Sequence, residues 1–365
     1  MKAVEAMQVF SCSTKLMIGP GARWTLRERS PQRVFVVTDR FFSETGVAAD
    51  LARGLGGTYE IFDEVMPDPT AELAARGAKR LKDFKPDLVV ALGGGSPMDC
   101  AKAMVYFSEL DVTLAAIPTT SGSGAEVTDF AILTHQEVKH PLVHERLRPQ
   151  VAILDSELLE KLPKSLIADG GFDILAHALE AAVGKNRSLI TDALACRAFR
   201  TAFGELPLSY GGDVSVRLNI HVASAMSAMA FSQAGLGICH ALSHALGGQF
   251  HVPHGRLNAI LLPSVVAVNA QVAGSRYASL AREAGLSGSA DTLAVRNLKN
   301  GLLRLRRELR LPQTLAQAGV RPKDVQRNRD VIIQAALADP CCKTNPVEPT
   351  AGLLEAILEE VTGRG

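Results

Sequence analysis

The chain has 365 residues, of which 47% are apolar and 21% are charged, and its 39 basic and 38 acidic residues leave a net charge of +1. This is the composition of an ordinary globular protein, and it gives no electrostatic basis for binding nucleic acid or a charged membrane surface. The length suggests two domains.

The six cysteines form no C-x-x-C pair, and a chain of this size needs no disulfides for stability. A reduced, cytoplasmic protein is therefore expected. The first residues, MKAVEAMQVFSCS, lack the long apolar core of a signal peptide.

Strand and helix patterns alternate in the first part of the chain. Short apolar runs predict buried strands, and amphipathic segments between them predict helices. The predicted strands are 33–39, 88–93, 112–118 and 150–155, and the helices include 71–84 and 97–107. Segments 126–134 and 138–143 predict a hairpin at the edge of the sheet. The pattern is typical of a Rossmann-like domain with a parallel sheet, which we place at residues 1–160.

Two loops rich in small residues follow predicted strands of this domain. The first, in 88-LVVALGGGSPMDCAKA-103, places three glycines and a serine before a helix, where free N–H groups can bind a phosphate. It is not G-x-G-x-x-G, and a plain glycine turn is the alternative. The second is 118-PTTSGSGAEVT-128. Two such loops favour a dinucleotide, and Asp39 at the end of a strand favours NAD over NADP, although a helix-capping Asp is the alternative.

Helical periodicity dominates after residue 160, so residues 161–365 are expected to form an all-helical domain. Residues 223–248 contain no Asp, Glu, Lys or Arg, but glycines and polar residues interrupt them. Two buried core helices fit this segment better than a membrane span. A cleft between the two domains is the expected ligand site.

Potential metal ligands recur in the helical part. Asp173 and His177, in 171-GFDILAHALE-180, are four residues apart and share one helix face. His240 begins a further candidate helix and His254 lies in the predicted loop 252-VPHGR-256. One carboxylate and three imidazoles in apolar surroundings suit Fe(II) or Zn(II). Taken singly, each histidine is more often an ordinary core residue.

Four motifs resemble those of the iron-containing (group III) alcohol dehydrogenase family. They are GGGSPMDCAKA, IPTTSGSGAEVT, GFDILAHALEA and FSQAGLGICHALSHALGGQFHVPHGRLNAILLP, and QAALADPCCKTNP resembles a fifth. The resemblance covers essentially the whole chain. It is strongest to members of propanediol-utilisation microcompartments, with ethanolamine-utilisation members second. It implies an N-terminal domain for NAD(H), a C-terminal helical domain that holds the metal, and a homodimer or higher homo-oligomer.

The resemblance also implies roles for individual residues. It assigns the metal ligands to Asp173, His177, His240 and His254, and an active-site role without ligation to His244. The cofactor-binding residues that it implies are Asp39, Gly94, Gly95, Ser96, Asp99, Thr119, Thr120 and Lys139. Two departures are SGSGAE at 121–126, where the family commonly has SGTGSE, and TNPV at 344–347, where it has TNPR.

The implied reaction interconverts a primary alcohol and an aldehyde, with the metal acting as a Lewis acid on the substrate oxygen and NAD(H) exchanging hydride. The uncharged stretch 223–237 predicts a small apolar pocket for C2–C4 substrates, and NADH would be recycled to NAD. The alternatives are a polyol, lactaldehyde or glycerol dehydrogenase, a dehydroquinate synthase-like lyase, and a non-catalytic partner in an assembly. Microcompartment shell or cargo proteins are candidate partners, although MKAVEAMQVF is not a convincing encapsulation helix.

Overall fold

The computed structural model describes residues 9–136, 138–286 and 288–363. Its strands are β1 (Lys15–Ile18), β2 (Arg33–Asp39), β3 (Thr58–Val65), β4 (Leu88–Gly93), β5 (Thr113–Pro118), β6 (Phe130–His135), β7 (Val138–Val143) and β8 (Val151–Leu154). The helices between them are α1 (Arg40–Glu44), α2 (Val47–Leu55), α3 (Ala71–Phe84) and α4 (Gly95–Ser108).

The α-helices after β8 make up the helical part of the described chain, called the helical half below. They are α5 (Lys164–Val183), α6 (Leu189–Gly211), α7 (Arg217–Ala234), α8 (Ile238–Phe250), α9 (His254–Glu283), α10 (Asp291–Glu308), α11 (Pro322–Arg327), α12 (Arg329–Ala338) and α13 (Ala351–Thr362). A sheet domain followed by a helical domain confirms the predicted fold class.

Within the described residues, six strands form one parallel sheet in the order β1-β8-β5-β4-β2-β3. The central strands are buried on both faces, which explains the continuous apolar run Val34–Val37. After β2 the chain adds β3 on one side and then β4 on the other side of β2. The sheet therefore has a switch point between β2 and β4, where ligands of such sheets bind at the carboxyl ends of the strands.

The predicted hairpin forms, but its predicted position at the edge of the main sheet is wrong. Strands β6 and β7 make a separate antiparallel pair that packs on α3 and α4. Two side chains of α4 bind backbone groups of β6: Asp99 Oδ2 accepts from Ile132 N at 3.1 Å, and Lys102 Nζ donates to Phe130 O at 2.9 Å. These contacts occupy backbone groups that pairing with another strand would otherwise use.

Helix α5 lies at the centre of the helical half and packs against α6, α7 and α9. From Phe172 to Val183 every residue of α5 is buried. A helix buried on all sides must satisfy its polar side chains inside the protein. The carboxylates and the histidine of α5 therefore need internal partners, and those partners define the site.

The uncharged segment that was predicted to form two core helices does so, as α7 and α8. Among the described residues, α9 alone has the length and composition of a membrane span, and 67% of its most apolar window is buried in the protein. The pair α7 and α8 passes the same test only when joined, and it is bent by 104°. A buried core helix has the same length and composition as these segments.

Candidate active site

The four potential metal ligands of the helical half lie together. Asp173 Oδ1 is 3.7 Å from His177 Nε2, 3.7 Å from His240 Nε2 and 3.5 Å from His254 Nε2. Donor atoms about 2.1 Å from a shared ion at tetrahedral angles lie about 3.4 Å apart. The donor types and these separations suit a divalent cation, and the donor atoms of Asp173, His240 and His254 all lie within 4.8 Å of one another.

His254 was predicted to lie in a loop, and the structure corrects this: it is the first residue of α9. The helix begins here because Pro253 is extended at the N-cap and because its first turn docks on α5. Arg256 donates from Nε and Nη2 to the two oxygens of Asp169, at 3.2 and 2.9 Å. A Cβ on Gly255 would lie 2.0 Å from Asp169 O, so only glycine permits this approach.

Burial and charge set the protonation of the four residues. Burial alone would raise the pKa of Asp173, but the three imidazoles outweigh burial and hold that pKa below its usual value. Burial lowers the pKa of His177 to about 3. An ionised carboxylate beside neutral imidazoles is the form that binds a cation.

His240 behaves differently because two carboxylates face its ring. Although burial opposes its charge, hydrogen bonds to Asp173 and Glu180 raise the pKa of His240 to about 9. Glu180 Oε2 lies 2.6 Å from His240 Nδ1, and Glu180 Oε1 accepts from Cys239 N at 2.7 Å. The proton on Nδ1 thus has a fixed acceptor, which leaves Nε2 as the nitrogen that can face an ion.

Glu180 and Asn258 escaped sequence reasoning. Asn258 Nδ2 donates to Asp173 Oδ1 at 2.8 Å, and Asn258 Oδ1 accepts from Ser243 Oγ at 2.5 Å. The sequence held a signal for Glu180, because it follows His177 by three residues on the same helix. No comparable signal exists for Asn258, since its role depends on how α9 packs against α5.

His244 is placed beside this cluster rather than in it. Its ring stacks on that of His254, with centroids 5.2 Å apart and planes 16° apart. His244 Nδ1 lies 2.8 Å from Asp339 Oδ2, and Asp339 Oδ1 accepts from Cys341 N at 2.8 Å. Burial opposes ionisation of Asp339, but these bonds outweigh it and lower the Asp339 pKa to about 2. With Nδ1 paired, Nε2 is the nitrogen left for another group.

The two small-residue loops adjoin at the carboxyl end of the sheet. Gly94 is the N-cap of α4, and Gly95 and Ser96 form its first turn. Thr119 N donates to Gly93 O at 2.9 Å, and a Cβ on Gly94 would lie 3.3 Å from Thr120 Oγ1. The helix end and both loops thus present backbone N–H groups in one region, beside the switch point of the sheet.

The other three cofactor candidates have protein partners. Asp39 caps α1 by accepting from Phe42 N at 3.3 Å, so the capping role weighed above is present at the switch point. Asp99 lies in α4, where it binds β6, and Lys139 Nζ is 2.6 Å from Asp68 Oδ1. The cofactor roles of all three stay predictions.

The second loop also connects the two halves of the protein. Ser121 Oγ lies 2.9 Å from His221 Nδ1, and Gly122 N donates to Ser224 Oγ at 2.8 Å. Both partners belong to α7. The same helix carries Phe231, whose ring centroid is 4.3 Å from that of His177. One helix therefore contacts both the second small-residue loop and the cluster of Asp173 and the histidines.

Comparisons with known proteins agree along the whole chain. The family described as "Iron-containing alcohol dehydrogenase" matches residues 13–156, and "Fe-containing alcohol dehydrogenase family, C-terminal" matches residues 167–362. The 1-propanol dehydrogenase PduQ of Salmonella typhimurium is 38% identical, over 97% of this chain and 100% of its own length.

Two further relatives are similar over most of their length. The NADPH-dependent butanol dehydrogenase of Clostridium saccharobutylicum is 36% identical, over 83% of this chain and 84% of its own length. A solved structure of a 1,3-propanediol oxidoreductase is 29% identical, with a TM-score of 0.91, and the match covers 97% of this chain and 100% of that one.

Proposed function

Because the chain belongs to the iron-containing alcohol dehydrogenase family, we propose that it interconverts propanal and similar short aldehydes with their primary alcohols, using Fe(II) and NAD(H). That it is a metal-dependent alcohol dehydrogenase of short-chain alcohols follows from its relatives. The observation that carries the proposal is the convergence of three imidazole nitrogens, those of His177, His240 and His254, at 3.5 to 3.7 Å from Asp173 Oδ1.

These four residues are the proposed metal ligands. A bound Fe(II) supplies Lewis acidity toward the substrate oxygen. Once the ion replaces the proton on His240 Nε2, its ligands are one carboxylate and three neutral imidazoles, so a divalent ion keeps net positive charge for that purpose. Glu180 and Asn258 hold His240 and Asp173 in place, which fixes the direction of both donor atoms.

The nucleotide is proposed to lie along the carboxyl end of the sheet. A nicotinamide cofactor supplies or accepts the hydride. Gly94, Gly95 and Ser96 at the N-terminus of α4 would bind its pyrophosphate, with Thr119 and Thr120 beside them. Asp39 would bind the ribose hydroxyls and repel a 2′-phosphate, which favours NAD(H) although the related butanol dehydrogenase is NADPH-dependent.

His244 is proposed to pass the proton between the substrate oxygen and solvent. Asp339 accepts from its Nδ1, which fixes the ring and leaves Nε2 toward a second partner. The side chain is 38% exposed, so the ring has access to water. Geometry and exposure together support the relay role better than a structural one.

The substrate pocket is proposed to be small and apolar. Phe231 packs on His177, and α7 is free of charged side chains from Ile220 to Ala234. A polyol would leave hydroxyl groups without partners there, at a cost of about 1–3 kcal/mol for each. The related 1,3-propanediol oxidoreductase makes a short diol the second candidate substrate.

A kinetic panel tests the substrate and the cofactor together. Propanal should exceed lactaldehyde in kcat/KM by at least about tenfold, and propan-1-ol should exceed glycerol likewise. Each rate is measured with NADH or NAD and with NADPH or NADP, on protein loaded with Fe(II) or Zn(II). Preference for lactaldehyde or glycerol would replace the apolar-pocket proposal with the polyol one. Equal efficiency with both cofactors would contradict the role of Asp39.

We also propose that the enzyme recycles NADH to NAD in the cytoplasm, inside a microcompartment. Its similarity to a 1-propanol dehydrogenase named PduQ supports this. The N-terminal segment that bears on encapsulation begins with residues 1–8, which lie outside the described residues. Activity confined to the soluble pool of a fractionated native extract would count against the shell. The homodimer or higher homo-oligomer stays a prediction.

A further inference from the structure

A second group of donor atoms lies beside the proposed iron site. His244, Asp339 and Cys341 each offer one ligand atom, and these atoms all lie within 4.8 Å of one another. They come from α8 and from the 3-10 turn Pro340–Thr344 together with its N-cap Asp339, so two elements bring them together. We propose that these three residues form a second metal site, which takes Zn(II) and inhibits the enzyme.

The chemistry of the donors separates this site from the first. Imidazole, carboxylate and thiolate together suit zinc, and a thiolate favours Zn(II) over harder cations. Three protein ligands leave a fourth position for water. All three residues are partly exposed, so an ion can enter from solvent and keep that water.

The carboxylate is already oriented for this purpose. Asp339 Oδ1 accepts from Cys341 N at 2.8 Å, which holds the turn, and Oδ2 faces His244 Nδ1 at 2.8 Å. Drawing the three donor atoms around one ion requires the separations from Cys341 Sγ to close from at most 4.8 Å to about 3.5 Å, and the 2.8 Å separation of His244 Nδ1 from Asp339 Oδ2 to widen by about 0.5 Å.

Zinc binding displaces one proton. His244 binds through Nδ1, and the proton of Nδ1 moves to Nε2 through solvent. The Cys341 thiol loses its proton to solvent, and Asp339 is already ionised. Two anionic ligands then neutralise the two positive charges of zinc. The occupied second site is neutral overall, one positive charge more than the empty site with its ionised Asp339, so its repulsion of the first ion is small.

Occupation of this site removes His244 from catalysis. Its Nδ1 would bind zinc instead of donating to Asp339, and its ring would be fixed by the metal. Inhibition should therefore occur while iron stays in the first site. This distinguishes the proposal from simple replacement of iron by zinc.

The test uses the full-length protein loaded with Fe(II) and titrated with zinc chloride alone, under anaerobic conditions. Metal content, measured after gel filtration, should show one zinc per chain with iron retained. Propanal reduction should fall at least about tenfold as zinc binds. Cys341→Ser should weaken zinc binding at least about tenfold, each variant being compared with its own zinc-free rate. Cys196→Ser, which changes another partly exposed thiol, is the matched control and should bind zinc normally.

A spectroscopic measurement is independent of activity and of the proposed substrate. Co(II) bound by a thiolate shows a sulfur-to-metal charge-transfer absorption in the near ultraviolet, and the four ligands of the first site include no sulfur. The unmodified protein should show this absorption, and Cys341→Ser should lose it. Absence of the absorption in the unmodified protein, or zinc that enters only by displacing iron, overturns the proposal. Equal zinc inhibition of Cys341→Ser and the unmodified protein overturns it as well.

Discussion

At the scale of single residues, the proposed metal ligands differ from one another in side-chain exposure. The side chain of His254 is 37% exposed, whereas those of His177 and His240 are almost fully buried. His254→Ala should abolish retention of iron through dialysis, because three donors remain and water can enter at the vacated position. Metal analysis of dialysed protein measures this.

His251→Asn is the matched control for that change. His251 is an exposed imidazole three residues away, in a left-handed conformation that Asn tolerates. It should keep its iron. Full occupancy in His254→Ala would show that the ligand set is wrong.

Glu180 offers a test of how the imidazoles are held. In Glu180→Gln, an amide NH2 beside His240 Nδ1 would favour the tautomer with the proton on Nε2, the nitrogen meant for the ion. Metal affinity should fall by about 10–100-fold with the fold unchanged. Competition with a chelating dye measures the affinity, and circular dichroism checks the fold. Glu308→Gln, on an exposed turn of α10, is the control and should bind metal normally. Normal metal binding by Glu180→Gln would mean that the Glu180 carboxylate does not fix the tautomer of His240.

The sequence predicted the four clustered donors, since the i,i+4 spacing points to Asp173 and His177 and the family motifs point to all four. It could not predict Asn258, Asp339 or Cys341 as neighbours of those donors. Their positions depend on packing between α5, α8, α9 and the turn after α12, and no local pattern encodes such distances. His254 was misplaced in a loop because a proline precedes it. Pro253 does mark a helix boundary, but the helix begins directly after it, at His254.

At the scale of elements, the interior of the sheet was more predictable than its edges. Strands β2 and β4 and helix α3 have the bounds that their apolar patterns predict. Strands β1 and β3 were missed because they are the two edges. β1 has only four residues, and β3 carries Glu60, Asp63 and Glu64, so neither shows a continuous apolar run.

The contact between α5 and the loop after β5 gives an element-scale prediction. A Cβ on Gly170 would lie 2.1 Å from Ser121 O, whereas a Cβ on Gly204 in α6 would meet nothing within 4 Å. Gly170→Ala should therefore lower the free energy of unfolding by about 1–3 kcal/mol and weaken NADH binding, because the loop must move. Gly204→Ala should raise stability by about 0.5–1 kcal/mol.

Urea unfolding and fluorescence titration with NADH measure the two effects. Similar stability and NADH affinity in the two alanine variants would mean that the loop after β5 can move away from α5 at little cost. In that case the loop would not couple the two halves of the protein.

For the molecule as a whole, a buried acid makes stability depend on pH. Glu126, in the loop after β5, is buried with Oε1 unpaired, and burial raises its pKa from 4.5 to about 7. Because the folded state keeps this proton longer, its stabilising contribution is complete below pH 4.5 and is lost as pH rises through about 7. As pH rises from 4.5 to 8, the free energy of unfolding of Glu126→Gln should therefore increase relative to that of the unmodified protein by on the order of 1–3 kcal/mol.

Calorimetry of both proteins at several pH values gives that difference. Glu64→Gln, which alters an exposed ion-paired carboxylate, should show a nearly constant difference from the unmodified protein. A flat profile for Glu126→Gln would mean that the acid is ionised throughout this range.

Two kinds of position differ in how they could be changed when the proposed pocket is redesigned for larger alcohols. Phe231 contacts other side chains, which can repack around a smaller or larger neighbour. Gly255 approaches a main-chain carbonyl, which no neighbouring substitution can remove. A mutant library should therefore vary residues of α7 and keep glycine at 255.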